Sequence, residues 1–318
     1  MEEKCPICGR TDAKLPIERG RHYVIYRCSY CGGDIARTAL SIDYREEYRR
    51  DETPDQTWRK VEARSTPEGK LRETEFLLKH TLEFLKASSV KGKLLDVGCG
   101  VGAFAKLAEG LGFEVYAFDL AEEAIRYARE NLGLKNTVAG TIDDIPPIWQ
   151  NFNFVTAFEV LEHVEQPREL VNKIYELLAP GGYFIMSTPN RNRLTVKLRR
   201  RESWDYPPHH LTRWSKDSVG LLLDDLGFVN VAIRTGSINR RDLANLLLPS
   251  KFNIKISIEK ISAPTDPKLG RGVSLVHSPI WKFVQRGGDA IAFLLQKLVG
   301  SGHGSGLIAF AQKPPAGV

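Results

Sequence analysis

The segment "LLDVGCGVGAF", residues 94–104, places Gly98, Gly100 and Gly102 within five positions, directly after an apolar run that contains Asp96. Glycine weakens regular structure and is used where the chain turns tightly or a ligand approaches the backbone, so this run constrains its surroundings strongly. Around it the pattern alternates. "KLLDV" precedes the loop and a helix is predicted over 102–110. "EVYAFD" precedes a helix at 122–132, "NTVAG" leads to "TIDDIPP", and "FNFVTAF" leads to "EVLEHV". A helix with Leu170, Val171, Ile174, Leu177 and Leu178 on one face ends at "APGG", before the strand "YFIMSTPN". Such alternation specifies a parallel, doubly wound α/β sheet with right-handed crossovers. A helix with Leu71, Leu78, Leu82 and Leu85 on one face precedes it over 70–86. Ser215 is placed to cap a helix carrying Val219, Leu222, Leu223 and Leu226. "FVNVAIR" and "GLIAFAQK" read as two more strands, separated by an insertion over about 236–305.

In an open α/β sheet the ligand lies at the carboxyl ends of the strands, where strand order reverses. Asp96 and the glycine loop fall at that edge, and Asp119 ends the next strand, where a carboxylate can accept both hydroxyls of a ribose. Two ligands compete for this arrangement. Gly98, Gly100 and Ala103 fit the spacing of an NAD loop, which holds a pyrophosphate at a helix N-terminus. S-adenosylmethionine has no phosphate, and its sulfonium and α-ammonium groups are cations that favour nearby carboxylates. Asp96 before the first glycine and Glu159 after the fourth strand of the sheet suit the second ligand and would repel the first.

Read in order, "LLDVGCGVGAF", "VYAFDL", "GTIDDIP", "FVTAFEVLEHV" and "LLAPGGYFIMSTPN" resemble the class I S-adenosylmethionine-dependent methyltransferases, over roughly residues 70–235. The resemblance implies a Rossmann-like seven-stranded sheet whose last strand, "GLIAFAQK", is antiparallel. It also implies roles. Asp96, Gly98, Cys99, Gly100 and Gly102 would cradle the methionine part of the cofactor, and Asp119 would take the ribose hydroxyls with Leu120 against the adenine. The Ile142 backbone and Asp143 or Asp144 would read the adenine edge, and Phe158 and Glu159 would border the methyl group. Thr141 departs from the pattern, since many relatives carry an acid directly after the glycine.

Four of the five cysteines form two pairs, Cys5-Pro-Ile-Cys8 and Cys28-Ser-Tyr-Cys31, with 19 residues between them. Two such knuckles can close around one tetrahedral zinc, and the intervening "RHYVIYRC" alternates like the strand of a zinc ribbon. The competing reading, two disulfides, calls for a secreted chain, and the polar start "MEEKCPICGR" has no signal-peptide character. A cytoplasmic protein is expected, divided into a ribbon over 1–36, a helical connector over 37–69 with Tyr44, Tyr48 and Trp58, and a catalytic domain over 70–318. Cys99 is expected to be a small packing residue.

The methyl acceptor is less constrained. Transfer to a hydroxyl calls for removal of its proton, and "RESWDYPPHHLTRWS", 201–215, sets two prolines before His209 and His210, either of which could be the base. This stretch looks like the "PPHHL" loop of methyltransferases acting on sugars and lipids, and with "STPNRN" it is similar to the ubiquinone-pathway O-methyltransferases. His163 reads as a helix-start or pocket-wall residue. The net charge of +6 comes from "RNRLTVKLRRR", 191–201, without which basic and acidic residues balance at 39 each. That stretch could grip a lipid or nucleotide-sugar phosphate, and an amphipathic 280–299 could lie against a membrane or pack into the core. The leading expectation is O-methylation of a small-molecule, sugar or lipid-linked hydroxyl. The alternatives are an RNA methyltransferase docking through the ribbon and a non-catalytic cofactor-binding scaffold.

Overall fold

The computed structural model describes residues 4–11, 14–41, 74–198, 205–238, 290–300 and 302–317, with side chains in the first helix from residue 79 onward. Residues 42–69 of the connector expected over 37–69, most of the 236–305 insertion and Arg199 to Arg201 lie outside the described residues.

Seven strands form the main sheet: β4 (Lys93–Val97), β5 (Glu114–Asp119), β6 (Asn136–Ala139), β7 (Phe152–Phe158), β8 (Leu178–Pro189), β10 (Val229–Thr235) and β11 (Gly306–Gln312). Their order is β10-β11-β8-β7-β4-β5-β6, with β11 antiparallel to both neighbours and β4 to β8 parallel. β11 has a neighbour on each side and is covered on both faces, which is why "LIAFA" is apolar throughout rather than alternating. Leu307 and Ala309 belong to the core with Val219, Leu222 and Leu223 of helix α6 (Lys216–Asp225), joined there by Val171 and Ile174 of helix α4 (Pro167–Leu177). Ile308 and Phe310 face the opposite way, toward Leu85 of α1 (Thr74–Ala87). That second face also takes Phe104, Ala105 and Ala108 of α2 (Ala103–Gly110) and Ala128 of α3 (Glu122–Glu130).

The predicted elements are present, with three local differences. β8 begins at Leu178 and runs through "APGG", so Leu178 belongs to the strand and not to the end of α4. After β7 only one 3₁₀ turn forms, Leu161–His163. The "DYPPHH" segment is a compact turn rather than an extended loop, with the His209 amide donating to the Tyr206 carbonyl at 3.1 Å. Ser215 caps α6 as expected and shares a reciprocal pair of bonds with Ser218.

The N-terminal ribbon contributes β1 (Lys14–Arg19), β2 (Tyr23–Cys28) and β3 (Asp34–Thr38), an antiparallel sheet that gains a fourth strand from the catalytic domain, β9 (Thr212–Arg213). The ribbon is sewn onto the larger sheet's flank. Ile7 is fully buried in the same core as Trp214 and Val219, and the Arg168 amide donates to the Pro6 carbonyl at 3.2 Å. So short a segment cannot bury a core of its own, and it completes one by docking. Helix α5 (Leu194–Lys197) follows β8, and a last helix, α7 (290–299), buries Ala292 with Ile291, Leu295 and Val299 beside Leu194 and Ile238. Its other side exposes Phe293, Leu294 and Leu298. No helix among the described residues is long and apolar enough to cross a membrane.

Trp214 marks the seam: it is fully buried, its indole N–H donates to Thr212 Oγ1 at 3.0 Å, and its carbonyl accepts from the Arg191 amide at 2.8 Å. Trp214→Ala is expected to cost about 3–5 kcal/mol, the usual loss for emptying so large a buried volume. Urea unfolding checks this, as a lower midpoint at unchanged slope.

Candidate functional site

The cradle is built by the turn from β4 into α2. Gly98, Gly100 and Gly102 all have positive φ, at 66°, 54° and 78°. At two of them space is also closed. A Cβ on Gly98 would lie 2.7 Å from Val160 Cγ2, and one on Gly102 would lie 2.7 Å from Leu134 Cδ1. Asp119, at the end of β5, ties the loop down: its two oxygens accept from the amides of Gly100 and Ala121, each at 2.8 Å. A carboxylate has about four acceptor positions, so these bonds leave capacity for a ribose.

Asp96 lies under the loop, 2% exposed, and accepts from Thr156 Oγ1 at 2.7 Å. Burial pushes its carboxyl up to about 7, reinforced by the charge of Asp119 and moderated by the Thr156 bond. Cys99 is half-buried beside these acids, and burial with their charges pushes its thiol up as well. Phe158 meets Phe104 edge-on at 4.8 Å, and Glu159 adopts φ 54° while accepting from Ser187 Oγ at 2.8 Å. Leu120 is exposed beside the loop. Ile142 leans on the core, and Asp144 closes its own turn by accepting from the Thr141 amide at 2.7 Å. Asp143 is turned outward to Lys173 at 2.7 Å.

The second cluster is assembled by the 3₁₀ turn after β7 and the turn at 205–210. The His163 and His210 rings meet edge-on at 4.8 Å, and ligand atoms of Glu162, His163 and His210 lie within 4.8 Å of one another, a spacing that one divalent cation could bridge. Both Glu162 oxygens are buried without a hydrogen-bond donor, and burial with the Glu159 charge holds its carboxyl well above the usual range. His163 Nδ1 is 2.8 Å from the His209 carbonyl, an acceptor, which puts the ring proton on Nδ1. Burial and the neighbouring His210 ring lower its pKa to about 4, so the ring is neutral at physiological pH. His210 Nδ1 is 3.3 Å from Asp205, which also receives Arg193 Nη2 at 2.8 Å. Burial pushes the Asp205 carboxyl up, but the His210 bond and the two arginines outweigh it and hold it low.

The two candidate bases therefore separate: His210 points its ring into the cluster, whereas His209 contributes its carbonyl. Sequence reasoning missed Glu162 and Asp205 and underrated His163. An acid beside a histidine in "LEHV" and one before two prolines were the visible signals, but neither says whether the side chain is buried. Of the basic stretch, Arg191, Arg193 and Lys197 are described. Arg191 binds Asp34 at 2.9 Å and Arg193 binds Asp205, both internally, while Lys197 reaches His303 at 3.2 Å, so these three form no open phosphate grip.

The cysteines converge. Cys5 and Cys31 Sγ are 3.9 Å apart and Cys8 and Cys28 Sγ 3.8 Å, with all four ligand atoms within 4.8 Å of one another. These separations are far beyond a disulfide bond and match the roughly 3.8 Å edge of a tetrahedron with zinc–sulfur bonds of about 2.3 Å. Burial, reinforced by the neighbouring Cys5 and Cys28 and moderated by a backbone bond from Arg10, pushes the Cys8 thiol up to about 12.

The Asp96 carboxyl yields a signed expectation. Between about pH 4 and 7 the folded protein keeps a proton that the unfolded chain releases, so stability falls as pH rises across that window. Asp96→Asn removes this penalty. Relative to the parent it is expected to gain about 1.4 kcal/mol per pH unit through the window and to level off above about 7, which denaturation at a series of pH values checks.

The methyltransferase-domain family matches residues 70–233, slightly more than half of the chain. The ubiquinone biosynthesis O-methyltransferase of Thiobacillus denitrificans is 32% identical over 154 residues, 42% of this chain and 66% of that protein. Its counterpart in Coxiella burnetii is 28% identical over 182 residues, 51% of this chain and 78% of that protein. The mitochondrial enzyme of Schizosaccharomyces pombe is 35% identical over 112 residues and is matched over only 41% of its length. Among solved structures, phosphoethanolamine N-methyltransferase 2 of Haemonchus contortus superposes with a TM-score of 0.53 over 95% of this chain and 71% of that one. At 14% identity that likeness concerns the fold. The matched stretch runs from the segment before α1 into β10, across every strand that shapes the cradle, and the chain belongs to the methyltransferase-domain family, among the class I S-adenosylmethionine-dependent methyltransferases.

Proposed function

We propose that this protein transfers the methyl group of S-adenosylmethionine to a hydroxyl of a small-molecule acceptor. The observation that carries the reading is the buried Glu162–His163–His210 cluster, backed by Asp205, on the segment that also presses Val160 against Gly98 of the cofactor loop. A neutral amine needs no base, whereas a hydroxyl does, and here two imidazoles each set Nδ1 beside an acceptor, the His209 carbonyl for His163 and Asp205 for His210. The cofactor would lie over Gly98 to Gly102, with Asp96 and Glu159 favouring its cationic groups and Asp119 its ribose. The acceptor oxygen displaces the sulfur in line: the O–CH₃ bond forms as the CH₃–S bond breaks, S-adenosylhomocysteine leaves, and the hydroxyl proton passes to Nε2 of His163 or His210. The similarity to ubiquinone biosynthesis O-methyltransferases supports an oxygen acceptor, and a sugar or lipid-linked alcohol remains within the same chemistry. RNA is the less favoured acceptor, because Arg191 and Arg193 are spent on internal ion pairs.

Incubating the protein with labelled S-adenosylmethionine and an extract divided into lipid, RNA and small polar pools tests this directly. Label is expected in the lipid or polar pool; label in RNA alone refutes the reading. His163→Ala and His210→Ala are each expected to lower transfer by about 10²–10⁴-fold, the usual contribution of a positioned base, with cofactor affinity little changed. His209→Ala keeps the carbonyl and is expected to lose far less. Undiminished turnover in both of the first two variants would remove the histidines from the mechanism.

We assign the four cysteines to one structural zinc. Elemental analysis is expected to give one zinc per chain bound by the ribbon, and Cys28→Ser is expected to abolish that binding. Because metal and docking both hold the ribbon, chelation is expected to lower the melting temperature and not only to release the ion.

A further inference from the structure

The ribbon could be a passive appendage, yet its last strand is the template on which the acceptor-side turn is laid. Cys31 is followed by Gly32 at φ 67° and Gly33, whose carbonyl accepts from the Cys28 amide at 3.0 Å and whose amide points to Cys31 Sγ at 3.5 Å. This knuckle determines where β3 starts. From there Asp34 and Ile35 pair with Arg213 and Thr212, and the Ala36 amide donates to the Leu211 carbonyl at 2.8 Å. On its other side, the Leu211 amide donates to the Glu162 carbonyl at 2.7 Å and Thr212 Oγ1 to the Leu161 carbonyl at 3.1 Å. Residues 211–213 are thus hydrogen-bonded between the ribbon and the turn that bears Glu162 and His163.

A second connection runs through side chains. Asp34, 2% exposed, receives Arg27 Nε at 2.8 Å and Arg191 Nη1 at 2.9 Å on Oδ1, and Arg213 Nη2 at 3.0 Å on Oδ2. The other terminal nitrogen of Arg213, Nη1, lies 3.8 Å from Asp205 Oδ2. One buried guanidinium therefore spans two buried carboxylates, one on the ribbon and one contacting His210. The planar fork of arginine serves this geometry and the point charge of lysine does not.

We infer that Asp34 and Arg213 are positioning residues for methyl transfer: the zinc ribbon braces Arg213, Arg213 with Arg193 braces Asp205, and Asp205 holds the His210 ring. The inference rests on the placement of His210 at the acceptor, proposed above, and gives the ribbon a part in that site. Its effect on the reaction is the effect of a partner one shell out: loss of the brace loosens the ring and lowers turnover by roughly 10–100-fold without touching the cofactor.

The test uses the full chain, zinc-loaded and labelled with ¹⁵N-histidine, and reads the His210 ring by proton–nitrogen correlation, its signal assigned by its absence in His210→Gln. In the parent protein the ring is expected in the single tautomer protonated at Nδ1; the Nε2-protonated form there would overturn the inference without any variant. In Asp34→Asn and Arg213→Lys, with zinc content retained, the signal is expected to show mixed tautomers or exchange broadening. Turnover in the labelled-methyl assay is expected to fall while the KM for S-adenosylmethionine changes less than about 2-fold. A His210 signal identical to the parent's in either zinc-loaded, folded variant overturns the brace. The tautomer is read without a methyl acceptor. Absence of transfer by the parent protein, with its ring in the single tautomer, therefore refutes the acceptor reading alone, and an unmoved ring in the variants refutes the brace alone.

Discussion

Strand β4 is hydrogen-bonded on both sides by parallel neighbours, β5 and β7, whose connections leave in opposite directions. The crevice at its carboxyl end exists because of that divergence, and the rest of the molecule is arranged around it. Glycine is required where the chain reverses under Val160 and Leu134, since a Cβ there meets an atom at 2.7 Å. The loop's amides are then drawn toward Asp119, so the carboxylate at the end of β5 also shapes the floor of the crevice. The neighbouring Asp96 is buried deeply enough to hold its proton to about pH 7, and a cation above the loop is the natural partner that would draw the proton off.

The opposite wall is an electrostatic structure of another kind. Asp34 and Asp205 are each almost wholly buried, and their charges are met by Arg27, Arg191, Arg193 and Arg213. Isolated buried charges would cost several kcal/mol apiece, so such groups survive only as a network, and the network ties together parts of the chain that are distant in sequence. Arg191 and Arg193, two of the six basic residues in the stretch that reads as an anion binder, belong to that network.

How much was legible follows from distance along the chain. The alternation of strands and helices, the cap at Ser215, the glycine loop and the C-x₂-C spacing are local patterns, and local patterns survive in one dimension. The end of α4 was misplaced because "LAPGG" looks like a helix stop, yet the Leu178 backbone finds a partner in β7 and continues as strand. That His163 meets a ring 47 positions later, and that His209 offers it a carbonyl, leave no trace in residue type. The helix at 290–299 carries enough apolar residues for either a buried or an exposed face, and it has both.

By itself, the sequence determined a parallel sheet with a cofactor crevice after its first parallel strand and a four-cysteine knuckle at its start, because hydrophobic period, glycine and thiol spacing act over a few residues. Only the tertiary structure decided that the knuckle's last strand pairs with β9, that Arg213 joins Asp34 to Asp205, and that His210 rather than His209 faces His163. Those outcomes depend on which backbone edge was left unpaired and which charges were buried together, and such properties belong to segments that meet only in space.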